Sequence, residues 1–215
     1  MGQLNQIIDN YKDFRQFTVR NPDLKIKTRD VSVNSVIKRI VFHCTDADGW
    51  TPDRLSKFFV EERKFPICGY HYYVQADTVW QMVGENVITY HAAHHNSDTV
   101  SFSIDYNPTR DEKLNIALNP KVYENAIKVA TYLCLKFRVT PDNIFGHREL
   151  PFTGYQVMAD KNDHTHLLKT CPGLKINLNQ FRMEVTKSVQ KVLSLVEDGV
   201  SGPKTVYAIK NHRLV

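Results

Sequence analysis

The stretch that decides the fold is Val36-Ile37-Lys38-Arg39-Ile40-Val41-Phe42-His43. Its apolar run, rich in β-branched side chains, reads as a buried strand that ends on a histidine and passes into Cys44-Thr45-Asp46. Downstream, Thr51-Pro52-Asp53 opens a helix, with Thr51 as cap, Pro52 in the first turn and Leu55, Phe58, Phe59 and Arg63 following. Residues 69–74 and 79–83, separated by Ala76-Asp77-Thr78, form a hairpin, and residues 100–106 alternate well enough for another strand. The clearest helix runs from Pro120 to Phe137, with Val122, Ala126, Val129, Ala130, Leu133 and Phe137 on one face. Residues 143–145 are a short strand or turn leading to Gly146-His147. Upstream, Leu4, Ile7, Ile8, Tyr11 and Phe14 give residues 3–17 a helical spacing, which Asn21-Pro22-Asp23 ends.

Strands interleaved with helices make an α/β (α+β) domain, a central mixed sheet flanked by helices with a small C-terminal helical segment. A polar loop of about residues 150–168 precedes Lys169-Thr170-Cys171-Pro172-Gly173. Residues 185–196 read as a helix, and a Gly-rich turn separates it from a short final helix carrying Val206, Ala208 and Ile209. The expected division is therefore 1–183 for the main domain and 184–215 for a small helical segment.

At 215 residues, with 42% hydrophobic and 24% charged residues, the chain has ordinary globular composition. A net charge of +5 suits a polyanionic partner. The basic residues are spread along the chain, which argues against a nucleic-acid-binding tail. No apolar run approaches the ~18 residues of a membrane span. The N-terminus has no secretory pattern, and Gln6 breaks the myristoylation pattern. Four cysteines at irregular spacing do not form a disulfide framework; Cys44, Cys68 and Cys134 read as reduced core residues.

Three residues stand apart. His43, at a strand end, is either a hydrogen-bonded structural histidine or an imidazole aimed into a cleft. His147 has the same two readings; Gly146 lets the backbone pass close to something, and Arg148 and Glu149 can pair locally. Cys171 precedes Pro-Gly in a turn, and a nearby Lys169 would favour its thiolate. Three protein ligands of mixed N and S type leave a fourth tetrahedral position for water, the pattern of a catalytic zinc. Spacing alone does not join these residues into one site.

V-F-H-C-T-D, G-Y-H-Y-Y-V, Y-H-A-A, S-F-S-I-D, F-G-H-R-E and K-T-C-P-G occur in the order seen in the N-acetylmuramoyl-L-alanine amidase family, which this chain resembles over roughly residues 36–183. The family includes phage lysozyme-type amidases and animal peptidoglycan recognition proteins. The resemblance implies a mixed sheet flanked by helices, with Zn2+ in a groove held by His43, His147 and Cys171. It assigns Tyr70 to the attacking water or developing oxyanion, Lys169 to the tetrahedral intermediate and His91 to the lining of the substrate groove. His94 and His95 are expected to be solvated or locally bonded, while His164 and His166 are rival ligands. His71, next to Tyr70 on a strand, should face away from the cleft.

The tail D-G-V-S-G-P-K-T resembles half of a small helical peptidoglycan-binding module, with Thr205 as the cap of its last helix; the alternative is a C-terminal helical pair packing on the main domain. The implied function is cleavage of the amide between N-acetylmuramic acid and L-alanine of peptidoglycan by a monomeric phage endolysin or autolysin. It would be synthesised in the cytoplasm and act on the cell wall after release. The alternative is a non-catalytic peptidoglycan-recognition protein.

Overall fold

In the computed structural model, residues 7–31, 36–150 and 170–212 are described. The apolar run that ends at His43 is strand β2, Arg39–Cys44. It is flanked by β5 (Thr99–Ile104) and β6 (Ile144–Gly146), both parallel to it. The hairpin is β3 (Tyr72–Val74) against antiparallel β4 (Val79–Gln81), closed by Gln75 N–H donating to the Thr78 carbonyl at 2.9 Å. With β1 (Tyr11–Asp13) at the edge, the order is β1-β4-β3-β5-β2-β6, the mixed sheet the sequence implies.

Side-chain alternation along the strands makes this sheet two-faced. Ile40, Phe42 and Cys44 of β2, Val100, Phe102 and Ile104 of β5, and Tyr72 and Val74 of β3 enter the main hydrophobic core. The opposite positions are more polar: His43 on β2, and Thr99, Ser101 and Ser103 on β5. One face is therefore built for packing and the other for chemistry.

Two helices cover the apolar face. The first long helix matches its expected bounds, Pro120–Phe137; Asn119 caps it by accepting from Lys121 N–H at 2.9 Å, and Arg138 ends it in the left-handed region at φ 55°. The second runs over Leu178–Val192, starting earlier than its apolar spacing suggests, because Asn177 accepts from Gln180 N–H and starts the helix there. It plants Phe181 on the sheet, 4.7 Å from the Phe42 ring, which itself stacks on Phe102 at 4.7 Å. Full burial of one such ring is worth about 1.5–3 kcal/mol. The α-helices lying wholly within the described residues are, in chain order, α1 (Pro52–Lys57), α2 (Pro108–Asp111), α3 (Pro120–Phe137), α4 (Leu178–Val192) and α5 (Pro203–Asn211). Thr51 caps α1 as expected, and a π-helical turn, Phe58–Glu62, carries it on to Arg63.

The N-terminal helical spacing does not produce a helix across Tyr11–Asp13, which is strand β1 paired in parallel with Val79–Gln81. An open sheet edge offers backbone partners that an isolated short helix lacks: Val79 N–H donates to Asn10 O and Phe14 N–H to Gln81 O. Residues 1–6 lie outside the described residues.

The proposed 183/184 boundary falls inside α4, and Val185, Val189 and Ile209 share the core of the sheet. Buried Gln190 ties the tail to α4, donating to Asp198, the Val200 carbonyl and Thr205 and accepting from Gly199 N–H. Thr205 is thus not the cap of α5; Gly202 occupies that position, and Thr205 lies one turn inside. All four cysteines are free, with Cys44, Cys68 and Cys134 buried. Among the described residues no helix is long and apolar enough to cross a membrane.

Candidate metal centre and cleft

The polar face of β2 puts His43 at the centre of the site, only 1% exposed. β6 runs beside β2, with Gly146 in register with Phe42, and so delivers His147 next to it; the two imidazole centroids are 4.5 Å apart. A short 3-10 turn, His147–Glu149, follows at once. Arg148 and Glu149 do not pair with each other. Glu149 accepts from Gly146 N–H at 2.9 Å and pairs with Arg182 of α4. Arg148 instead holds the cysteine turn: its N–H donates to the Cys171 carbonyl at 2.9 Å, and its guanidinium donates to the carbonyls of Gly173 and Ile176. Gly146 has a steric reason, since a Cβ there would lie 3.0 Å from Pro172 Cδ and 2.6 Å from Leu178 Cδ1.

Cys171 thereby faces His43, with Sγ 3.6 Å from Nδ1. One ligand atom from each of His43, His147 and Cys171 lies within 4.8 Å of the others. A tetrahedral zinc with Zn–S of ~2.3 Å and Zn–N of ~2.05 Å separates the two donors by about 3.6 Å, so the donor set and its spacing fit that ion. Burial alone would raise the Cys171 pKa. The hydrogen bond with Cys44 and the neighbouring His43 and His147 outweigh it, and the thiol titrates well below its ordinary value. The proton of this thiol pair stays on Cys44, whose pKa its hydrogen bond to Cys171 and its burial both raise. The Cys44 backbone N–H also donates to Cys171 Sγ at 3.3 Å.

Around these residues opens a cleft of about 510 Å³. Tyr70 stands on its wall, 5.0 Å from the His43 ring, with its hydroxyl 3.5 Å from the Cys44 carbonyl. Burial, then the neighbouring Cys171 and Cys44, push its pKa well up, so the phenol keeps its proton at neutral pH. His91 backs the floor, with Nδ1 3.1 Å from His43 Nε2 and Nε2 3.0 Å from Thr99 Oγ1. Burial and the neighbouring His43 depress its pKa well below the usual imidazole value, so it is neutral. His71 does not line the cleft, yet it sits on the same sheet face as His43: its ring bonds Ser101 and the Val87 carbonyl and lies 6.2 Å from the His91 ring, and burial lowers its pKa to about 3. His94 is exposed, and His95 lies near Arg39. Lys169, His164 and His166 lie outside the described residues.

The rim of the cleft is built from residues with little signal in the sequence. Phe58, Arg63, Phe65 and Tyr90 line the cleft, the last two in ring contact at 5.5 Å. Their one signal was an arginine on the apolar spacing after α1, held over Phe58 at 5.2 Å.

The sequence matches the family model for N-acetylmuramoyl-L-alanine amidase over residues 33–173, which is more than half the chain. The chain belongs to that family. The chain is similar in structure to N-acetylmuramoyl-L-alanine amidase LysC from Clostridium intestinale at 17% identity, covering 86% of this chain and 97% of that one, with a TM-score of 0.57. It is also similar to the endolysin of Thermus scotoductus bacteriophage Ph2119, at 16% identity, 81% and 98% coverage and a TM-score of 0.57. Drosophila PGRP-LB matches at 18% identity, 76% and 87% coverage and a TM-score of 0.53. At these identities the likeness is one of fold. No curated protein sequence matches this one significantly.

Proposed function

We propose that this family member is a zinc-dependent hydrolase that cuts the amide between the lactyl group of N-acetylmuramic acid and L-alanine of peptidoglycan. It would act as an endolysin or autolysin, on the wall after release from the cytoplasm. The observation that carries the reading is the convergence of two imidazoles and one stabilised thiolate at the floor of an open cleft.

His43, His147 and Cys171 would hold the ion. Bound there, zinc would polarise the scissile carbonyl and lower the pKa of a water molecule towards ~7. The protein's own groups supply the rest. Tyr70 keeps its hydroxyl proton and is placed to donate it in a hydrogen bond to the developing oxyanion, in a partly desolvated wall where such a bond is strong. Lys169, two residues before Cys171, would add an ammonium beside the same oxygen. His91 contributes its ring surface to the wall along which the substrate would lie. Phe58 and Phe65 give the same cleft apolar lining. Water adds across the C–N bond, leaving a lactyl carboxylate and the free amine of L-alanine.

The test is release of free amine and loss of turbidity on purified sacculi, with wild type, Cys171→Ala and chelator-treated protein side by side. Wild type should release amine, and the other two should not. Identical behaviour of all three sinks the zinc amidase reading. Binding to sacculi with no release even by zinc-loaded wild type would leave a recognition protein, a role that makes no use of the Cys171 thiolate.

A further inference from the structure

Behind the three candidate ligands runs a buried chain of hydrogen bonds in which each proton has one place to go. Thr99, on β5 and fully buried, has its hydroxyl 2.6 Å from the His95 carbonyl and 3.0 Å from His91 Nε2. A carbonyl only accepts, so the hydroxyl proton goes to His95 O, and the hydroxyl turns a lone pair towards His91. His91 Nε2 therefore carries the N–H, which leaves Nδ1 as an acceptor. That Nδ1 lies 3.1 Å from His43 Nε2, so His43 carries its proton there. The lone pair of His43 is left on Nδ1, the atom 3.6 Å from Cys171 Sγ. Reversing one ring alone sets two lone pairs or two N–H groups face to face. Reversing both strands Thr99 between two acceptors.

We propose that the Thr99 hydroxyl, acting through His91, sets the tautomer of His43 and so presents Nδ1 to the metal. Thr99 and His91 are then positioning residues of the centre. The inference rests on the metal reading of His43, His147 and Cys171. The geometry is built to last: the His91 and Ala92 N–H groups both donate to Asn96 Oδ1, at 3.0 and 2.8 Å, fixing the turn that carries the ring. The His43 and His91 rings meet edge to face at 89°. Neither ring is more than 7% exposed, so water is a poor substitute for either partner. Metal-ligating histidines generally give their second N–H to a fixed acceptor, and removing that acceptor lowers metal affinity about 10–100-fold. Here the acceptor is itself an imidazole, which needs Thr99 to hold it in the accepting form.

The experiment uses the full chain without metal, 15N-labelled, at about pH 8, above the ordinary imidazole titration. Long-range 1H–15N spectra should show both His43 and His91 protonated at Nε2. Zinc affinity is then read by competition with a chromogenic chelator. Thr99→Val, which keeps the volume and removes the hydroxyl, should bind zinc about 10–100-fold more weakly and lose the single His91 tautomer, while Thr99→Ser stays close to wild type. His91 protonated at Nδ1 in the wild type overturns the proposal, as does folded Thr99→Val with wild-type zinc affinity. Should Thr99→Val fail to fold, the wild-type tautomers decide. A wild type that binds no zinc defeats the metal reading instead, and the tautomers still judge the relay.

Discussion

The backbone N–H of Cys44 donates to Cys171 Sγ at 3.3 Å, so β2 carries one candidate ligand, His43, and in the next residue a donor that holds the charge of another. Because that donor is main chain, Cys44→Ala should keep it. Zinc at 100 times its dissociation constant stabilises a folded protein by about 2.7 kcal/mol, or about 5–10 °C in Tm for a chain of this size. Thermal melts with zinc and with chelator should show this shift in wild type and Cys44→Ala and none in Cys171→Ala. A full shift in Cys171→Ala would remove that residue from the centre.

Tyr70→Phe deletes only the hydroxyl that faces the Cys44 carbonyl. Loss of one oxyanion donor costs about 10²–10³ in kcat. Amine release from sacculi should slow by that factor while zinc affinity stays at the wild-type value. A rate within about threefold of wild type would leave Tyr70 without a part in the chemistry.

Gly146→Ala sets a methyl group against Pro172 and Leu178, with the ring carbon of Pro172 less able to yield than the leucine tip. Overpacking of this kind costs about 1–3 kcal/mol. Urea unfolding should show that loss, and because Pro172 follows Cys171, zinc affinity should fall with it. An unchanged urea midpoint would show that the turn gives way freely.

Beside the core, Glu85 accepts from the Tyr72 hydroxyl at 2.5 Å and from Lys136 Nζ at 2.8 Å. Burial pushes the Glu85 pKa up, but Lys136 and Tyr72 outweigh it and the net shift is downward. A lowered folded pKa contributes stability that is present above the unfolded value near ~4.3 and lost as pH falls through the folded one. Stability measured by urea should therefore decline in acid below about pH 4. Lys136→Met strands the carboxylate and should cost about 3 kcal/mol at pH 7, with a shallower acid decline. Equal losses at pH 7 and pH 3 would show that the pair does not set this dependence.

Phe181→Ala empties the space between α4 and the Phe42–Phe102 stack. The expected loss is about 3–5 kcal/mol in urea, against under ~1.5 kcal/mol for Phe181→Leu. A loss below about 1 kcal/mol would make α4 an appendage rather than part of the core.

The elements that could be read directly are those whose signals are local. Asn119-Pro120 starts α3 and an apolar face carries it to Phe137; Thr51-Pro52 starts α1; an apolar run makes β2. The spacing around Tyr11 misleads because the competing partner, β4, lies far along the chain. Arg148 and Glu149 mislead in the same way, since adjacent residues of opposite charge found better partners in the cysteine turn and in α4.

By itself the sequence determined the kinds of group available: two histidines after apolar strands, a cysteine in a Pro-Gly turn, a tyrosine next to a hairpin strand, and the helices and strands that caps and periodicity specify. Only the tertiary structure decided which atoms meet. His43 and Cys171 are 128 residues apart and His43 and His91 are 48 apart, yet they approach to 3.6 and 3.1 Å. Such approaches depend on strand order and register, because parallel β2, β5 and β6 bring their C-terminal ends to the same end of the sheet. The strand ending at His43 therefore announces a ligand, and the sheet around it determines which nitrogen faces the thiolate.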